Sequence, residues 1–177
     1  MAKAKAQTAE KAQWEVLSLV DQDRVENLNI PKKLYLFNSC TGSVEYPGTE
    51  RAVKFVAEKL GYEMIQSEDQ TCCTGYMLTC NALDPTLALC SCGRNLSIPE
   101  DMGLSVVSFC NGCYGYLNEL NHIIQHGKGV KDMVNEALKQ IGREYKGDVT
   151  IYHAQDVWYS EIEKIKSLVV RPLTGLR

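Results

Sequence analysis

The chain has 177 residues, 45% of them apolar, which is enough for one domain with its own core. Its net charge of −3 comes from 19 basic and 22 acidic residues with no basic stripe, and nucleic acid is therefore not an expected partner. No apolar run reaches the ~20 residues that span a bilayer, and the first dozen residues contain no hydrophobic leader core. The expectation is a cytoplasmic protein with no direct membrane span.

Residues 1–30 read as an N-terminal helical extension. Ala9, Ala12, Val16, Leu19 and Val20 share one helical stripe with Trp14 off it, and Pro31 closes the segment. Such a stripe suits either docking onto a partner or packing back on its own domain. Residues 31–177 form the main domain. A strand is predicted over 33–39, delivering Cys40 at its carboxyl end. A helix over 47–60 carries Ala52, Val53, Val56, Ala57 and Leu60 at helical spacing and ends at Gly61. A short strand over 62–65 then leads to Cys72-Cys73, and strand, helix, strand predicts a parallel pair.

Asp84-Pro85 is a helix start. Cys80, Cys90 and Cys92 lie in this region and read as packing or partly exposed thiols. The strand over 104–109 turns at Cys110-Asn111-Gly112-Cys113 into a helix bearing Leu117, Leu120, Ile123 and Ile124. His122 and His126 on that helix read as a solvated face. A helix over 131–145, with Val134, Ala137, Leu138 and Ile141 on its buried stripe, precedes a strand over 149–152. His153 stands at the end of that strand, and a last helix covers 155–169. The pattern predicts an α/β fold, a short, mostly parallel sheet flanked by helices.

Five of the eight cysteines fall in three segments at or after carboxyl ends of strands, where open α/β sheets hold ligands. They are Cys40, Cys72, Cys73, Cys110 and Cys113. A disulfide framework belongs to an oxidising compartment and a core-poor chain. Structural zinc wants four ligands, commonly paired, and only Cys110 and Cys113 have the knuckle spacing. A redox dithiol would use that pair and leave the other three as inert small hydrophobes. An iron-sulfur cluster takes soft thiolates at irregular spacing and accounts for all three segments together. Five thiols exceed the four of a cubane. Either Cys72 or Cys73 is structural, or the cluster is not a simple cubane. Gly42, Gly75, Gly112 and Gly115 would let backbone approach an inorganic core, and the helix amino end at Cys110 and Cys113 would stabilise thiolates.

Cys40, 31 residues, Cys72-Cys73, 36 residues, then Cys110-x-x-Cys113 resembles the pattern of the cysteine-rich CCG domain found in the B subunit of heterodisulfide reductase. Asn38-Ser39 before Cys40, Asp69 before the pair and Phe109-Cys110-Asn111-Gly112-Cys113-Tyr114 agree with it, and the likeness runs over about 33–176. The resemblance implies that Cys40, Cys72, Cys73, Cys110 and Cys113 ligate a noncubane iron-sulfur cluster of the 4Fe-4S type. It further implies reduction of a disulfide, such as the coenzyme M/coenzyme B heterodisulfide of methanogens, by one-electron steps. Other redox subunits of such a complex, including a ferredoxin-like iron-sulfur subunit, are the implied partners.

Two departures stand out. Thr74 separates the cysteine pair from Gly75, where the family has glycine at once. The family's chains also carry two repeats and this sequence one, which calls for a separate second CCG repeat, a second copy, or another assembly. The alternative is a non-catalytic electron-transfer or assembly subunit. His153 is the candidate catalytic proton donor, weighed against a hydrogen-bonded histidine at a strand end. Arg51, Lys54 and Arg94 are the basic residues expected near an opening for an anionic substrate.

Overall fold

The computed structural model describes residues 28–171. The stripe expected within residues 1–30 lies, up to residue 27, outside the described residues. Four strands form one sheet, β1 (Lys33–Phe37), β2 (Glu63–Ile65), β3 (Ser105–Ser108) and β4 (Ile151–His153), in the order β2-β1-β3-β4. Every pairing is parallel, with Tyr35 opposite Ile65 and Val106, and Ser108 opposite His153. The expected α/β fold with a parallel sheet is observed.

β1 shows how the sheet divides the core. Leu34, Tyr35, Leu36 and Phe37 are all fully buried, the near-continuous apolar run of a central parallel strand. Alternate side chains serve opposite faces. Leu34 and Leu36 join Val53, Ala57 and Leu60 of helix α1 (Pro47–Leu60). Tyr35 and Phe37 join the second cluster. There they meet Leu96 of α3 (Pro85–Asp101), Leu117 and Ile124 of α4 (Asn111–His126), and Val134 and Leu138 of α5 (Val130–Lys139). A single turn of helix, α2 (Gly75–Thr79), follows the cysteine pair.

The helix signals read from sequence act as expected at several ends. Pro47 opens α1, and Gly61 ends it in the left-handed region at φ 82°. Asp84 caps α3 by accepting from the Thr86 N–H, with Pro85 in the first turn. Two extents differ. The helix expected over 131–145 stops at Lys139, because the Asn135 side chain donates to the Tyr145 carbonyl and accepts its N–H, fixing that residue in a non-helical loop. Tyr145 is thereby buried and Ile141 left exposed. The helix expected over 155–169 is two, α6 (Ala154–Ser160) and α7 (Ile162–Leu168). The chain breaks at Glu161, whose carboxylate takes the Tyr62 hydroxyl and pairs with Lys32. Among the described residues no helix is long and apolar enough to cross a membrane.

One contact closes the loop between α5 and β4. The Glu100 carboxylate, near the end of α3, accepts the backbone N–H groups of Lys146, Gly147 and Asp148 at 2.8, 2.7 and 2.9 Å. Three charge-assisted bonds on one side chain set the approach of β4 to the sheet. Glu100→Ala is expected to lower stability by about 2 kcal/mol, read as an earlier urea midpoint at unchanged slope.

Candidate metal-binding site at the sheet edge

Because all four strands are parallel, their carboxyl ends share one edge. Cys40 comes three residues after β1, Cys110 two residues after β3, and Cys72-Cys73 on the loop that leaves β2. The structure brings the five thiols of the sequence motif together. Their side chains touch in a continuous row, Cys40 to Cys72 to Cys73 to Cys113 to Cys110, with the Ser39 hydroxyl against Cys110. Cys40 and Cys72 are exposed, Cys110 is half-buried, and Cys73 and Cys113 are buried. As they stand, no three His, Cys, Asp or Glu side chains among the described residues are arranged to hold a metal ion. A tetrahedral zinc needs its ligands converging on one point. A row of soft sulfurs matches a polynuclear iron-sulfur group, so the donor set fits the cofactor that the motif implies.

The electrostatics differ along the row. Burial pushes the Cys72 thiol up, opposed by the Thr74 N–H, which reaches its sulfur at 3.3 Å. Cys73 lies well below the ordinary thiol value because the Cys113 thiol shares its proton with it, and the Gly75 N–H adds to the effect. Cys113 is raised correspondingly, so this pair gives up one proton readily and keeps the other. At Cys110 burial works upward, but the amide of Cys113 and the Ser39 hydroxyl outweigh it, and the net shift is downward. Cys110 is the residue before the first turn of α4, and the amides of Cys113 and Gly112 act on its sulfur through the field of the helix end, without a formed cap bond.

Close contacts explain two glycines. A Cβ on Gly42 would lie 2.1 Å from the Phe109 ring, and one on Gly75 would lie 2.2 Å from the Tyr116 ring. Thr74, the residue inserted before Gly75, adopts φ 64° in the left-handed region, with its hydroxyl donating to the Cys73 carbonyl at 2.6 Å. A pocket of about 160 Å³ opens beside Cys110, lined by Thr41, Tyr46, Thr49 and Phe109 among others.

The remaining expected residues sort as follows. Cys92 is fully buried and pushed up to about 12 by burial. Cys80 is exposed and Cys90 half-buried. His122 and His126 stack on each other on an exposed face. His153 sits at the same sheet edge, opposite Ser108. Its Nδ1 accepts the Gln155 N–H, its backbone N–H donates to Asp156, and its ring packs edgewise on Tyr114 at 5.4 Å. It therefore caps α6, the hydrogen-bonded alternative weighed from sequence. Its Nε2 is buried with no hydrogen-bond partner among the described residues. The basic residues do not line the pocket beside Cys110. Lys54 pairs with Glu50 at 2.6 Å, and Arg94 donates to the Asp69 carbonyl at 2.7 Å.

Sequence reasoning missed the polar side chains that brace the cysteine loops. Gln70 bonds the backbone of Asn38, and Asn95 bonds the backbone of Thr71 and Cys72. The available signal was a lone asparagine beside the buried run of 96–99 on α3.

Residues 34–118 match the family model of the cysteine-rich CCG domain. The B subunit of the ferredoxin/F(420)H(2)-dependent CoB-CoM heterodisulfide reductase of Methanosarcina acetivorans is 34% identical over 143 residues, covering 80% of this chain and 47% of that protein. A protein of Archaeoglobus profundus, described as like the B subunit of heterodisulfide reductase, is 31% identical over 146 residues, 81% of this chain and 48% of its own. The chain thus spans about half the length of these relatives. The crystal structure of a hypothetical protein from Helicobacter pylori shares the fold, with a TM-score of 0.62 at 20% identity over 82% of this chain and 27% of that one.

The buried His153 carries a pH dependence. Burial lowers its folded pKa below the ordinary 6.5, and Asp156 only partly opposes this. The unfolded chain therefore takes up this proton first as the pH falls. The contribution to stability is full above the unfolded value and is lost as the pH drops through the folded one. Between about pH 7.5 and about pH 5.5 the thermal midpoint of the wild type is expected to fall further than that of His153→Asn, which keeps a capping acceptor.

Proposed function

We propose, for a chain that belongs to the cysteine-rich CCG family of heterodisulfide reductase B subunits, that Cys40, Cys72, Cys73, Cys110 and Cys113 hold a noncubane iron-sulfur cluster of the 4Fe-4S type. On this reading the site reduces a disulfide, the coenzyme M/coenzyme B heterodisulfide or a related one, in the cytoplasm as part of a larger redox complex. The observation that carries the reading is the unbroken row of five thiols, drawn from three loops onto one sheet edge.

A bound iron-sulfur cluster supplies electrons singly, and two of them with two protons convert one disulfide to two thiols. The polypeptide's own part is to hold the ligands as thiolates and to shape the approach. Cys110 is the thiol prepared by the helix end, and the Cys73–Cys113 pair surrenders one proton readily. The pocket beside Cys110, lined by Thr41, Tyr46, Thr49 and Phe109, is where a substrate would approach. His153 remains the proposed proton donor. With Nδ1 accepting in the cap, the neutral ring carries its hydrogen on Nε2, the atom that has no other partner among the described residues.

The half-length match favours a second reading, in which the chain relays electrons or organises an assembly while another polypeptide supplies the second repeat. Partners on either reading are redox subunits, including a ferredoxin-like iron-sulfur subunit and a second CCG repeat from another chain or copy.

The test is iron and acid-labile sulfide per chain on protein isolated without oxygen, followed by electron paramagnetic resonance with and without a thiol. About four of each per chain is expected, with a signal that shifts on thiol addition. A signal indifferent to thiols selects the relay, and zinc in place of iron ends both readings. Cys72→Ala and Cys110→Ala are expected to lose or remodel the cluster, and Cys90→Ala to leave it intact. An unchanged spectrum in either of the first two overturns the ligand set.

A further inference from the structure

Thiols carried by different strands meet only if their loops are set against each other. β2 ends at Ile65, and residues 66–72 run to the cysteine pair without regular structure beyond a turn. Backbone freedom over such a stretch opposes any fixed placement of Cys72.

Two carboxamides remove that freedom. Gln70 uses both ends of its amide. Its Oε1 accepts the Asn38 N–H at 2.9 Å and the Tyr35 hydroxyl at 3.4 Å, and its Nε2 donates to the Asn38 carbonyl at 2.8 Å and reaches that of Thr71 at 3.5 Å. The paired contacts with Asn38 copy a β-bridge with a side chain. They also fix which end is oxygen, since a flipped amide would set donor against donor and acceptor against acceptor. Asn95 is fully buried on α3. Its Oδ1 accepts the Thr71 N–H at 2.9 Å and the Thr71 hydroxyl at 3.0 Å, and its Nδ2 donates to the Cys72 carbonyl at 3.0 Å. Asn38 stands two residues before Cys40, and Gln70 two before Cys72. Each clasp therefore grips the base of a thiol-bearing turn, one against β1 and the other against α3.

We infer that Gln70 and Asn95 are positioning residues that set Cys40 against Cys72 in the polypeptide before any cluster is in place. The inference takes its cysteine set from the function proposed above, whereas the frame is a property of the folded chain alone. Ligand arms already in place lower the ordering cost of cluster insertion, and a satisfied buried amide is the kind of group that holds a single geometry.

The test uses the full chain without cluster. Diamide, a diazene oxidant that takes two electrons and two protons from two thiols to become a hydrazine, is expected to form a Cys40–Cys72 disulfide in the wild type. Tandem mass spectrometry follows its rate, distinguishing Cys72 from Cys73, with Cys110–Cys113 pairing as the internal reference because that pair rests on α4. Gln70→Ala and Asn95→Ala are expected to slow Cys40–Cys72 pairing about tenfold through loss of effective concentration while the reference rate stays unchanged. Asn95→Asp keeps an acceptor for Thr71 but sets a buried carboxylate oxygen against the Cys72 carbonyl, and is expected to slow the pairing as well. Gln70 is only part-buried, so its variant remains informative if Asn95→Ala fails to fold. Wild-type pairing rates in a folded Gln70→Ala variant overturn the inference. A wild type that takes up no iron yet shows the expected rates sinks the proposed function and leaves the frame standing. In iron-loaded protein the same variants are expected to show an altered paramagnetic spectrum of the iron they do bind, a change that loss of stability alone does not produce.

Discussion

Five thiols on one sheet edge create a charge problem that the surrounding polypeptide is built to contain. Thiolates repel one another, and burial disfavours each of them. The chain answers differently at each position. Cys72 is pushed up, Cys73 and Cys113 divide a proton, and Cys110 is drawn down by the amides of α4 and by Ser39. The polypeptide alone thus accommodates only part of the negative charge that five ligating sulfurs would carry. A soft, cationic metal group of the kind proposed above would offset that charge, since thiolates are its natural ligands. Protein geometry sets where the sulfurs are, and the neighbours of each set how readily it gives up its proton.

The site is continuous with the core. Cys73, Cys92 and Cys113 belong to the same buried cluster as Tyr35, Phe37, Leu96 and Leu117. α4 carries Cys113 in its first turn and buries Leu117, Leu120 and Ile124 behind it, so the packing that seats the helix also seats the thiol. The opposite cluster, with Leu34, Leu36 and α1, seats β1 and through it Cys40. Movement in either cluster is therefore felt at the sulfurs, whereas the exposed rim at Cys40 and Cys72 remains accessible.

Much of this was legible in the residues because the strongest signals are local. The apolar run of β1, Pro47 and Gly61 around α1, and Asp84-Pro85 before α3 each act within a few positions of themselves. Parallel pairing follows from the helices between strands, and that pairing in turn gathers the cysteines on one edge. What sequence did not reveal depends on side-chain partners that no local signal names. α5 ends early because Asn135 captures Tyr145, and the last helix breaks where Glu161 reaches Tyr62. Of the three basic residues named for an opening, Arg51 is exposed and the other two are engaged. Lys54 and Arg94 are taken by Glu50 and by the Asp69 carbonyl, and composition alone does not show which cations are already engaged. The roles of Gln70 and Asn95 were not legible, because an amide, even one beside an apolar run, says nothing about which backbone it will bond.

Thr74 shows how the site tolerates a departure from its family's motif. A left-handed conformation costs an ordinary residue about 1–2 kcal/mol, and a β-branched one fits it poorly. At φ 64° this threonine takes that conformation at the step where the motif has glycine. Its hydroxyl bonds the Cys73 carbonyl, and its N–H points at the Cys72 sulfur, so the strained residue touches both members of the pair. The left-handed step follows directly on two adjacent side chains that diverge, one toward Cys40 and the other toward Cys113. Glycine would take that conformation without strain, and Gly75 is then needed one step later for a separate reason, the Tyr116 ring against its Cα. Two constraints that a single glycine could meet are divided here between two residues, and the strain at the first is held by the bonds it makes to the cysteines it separates.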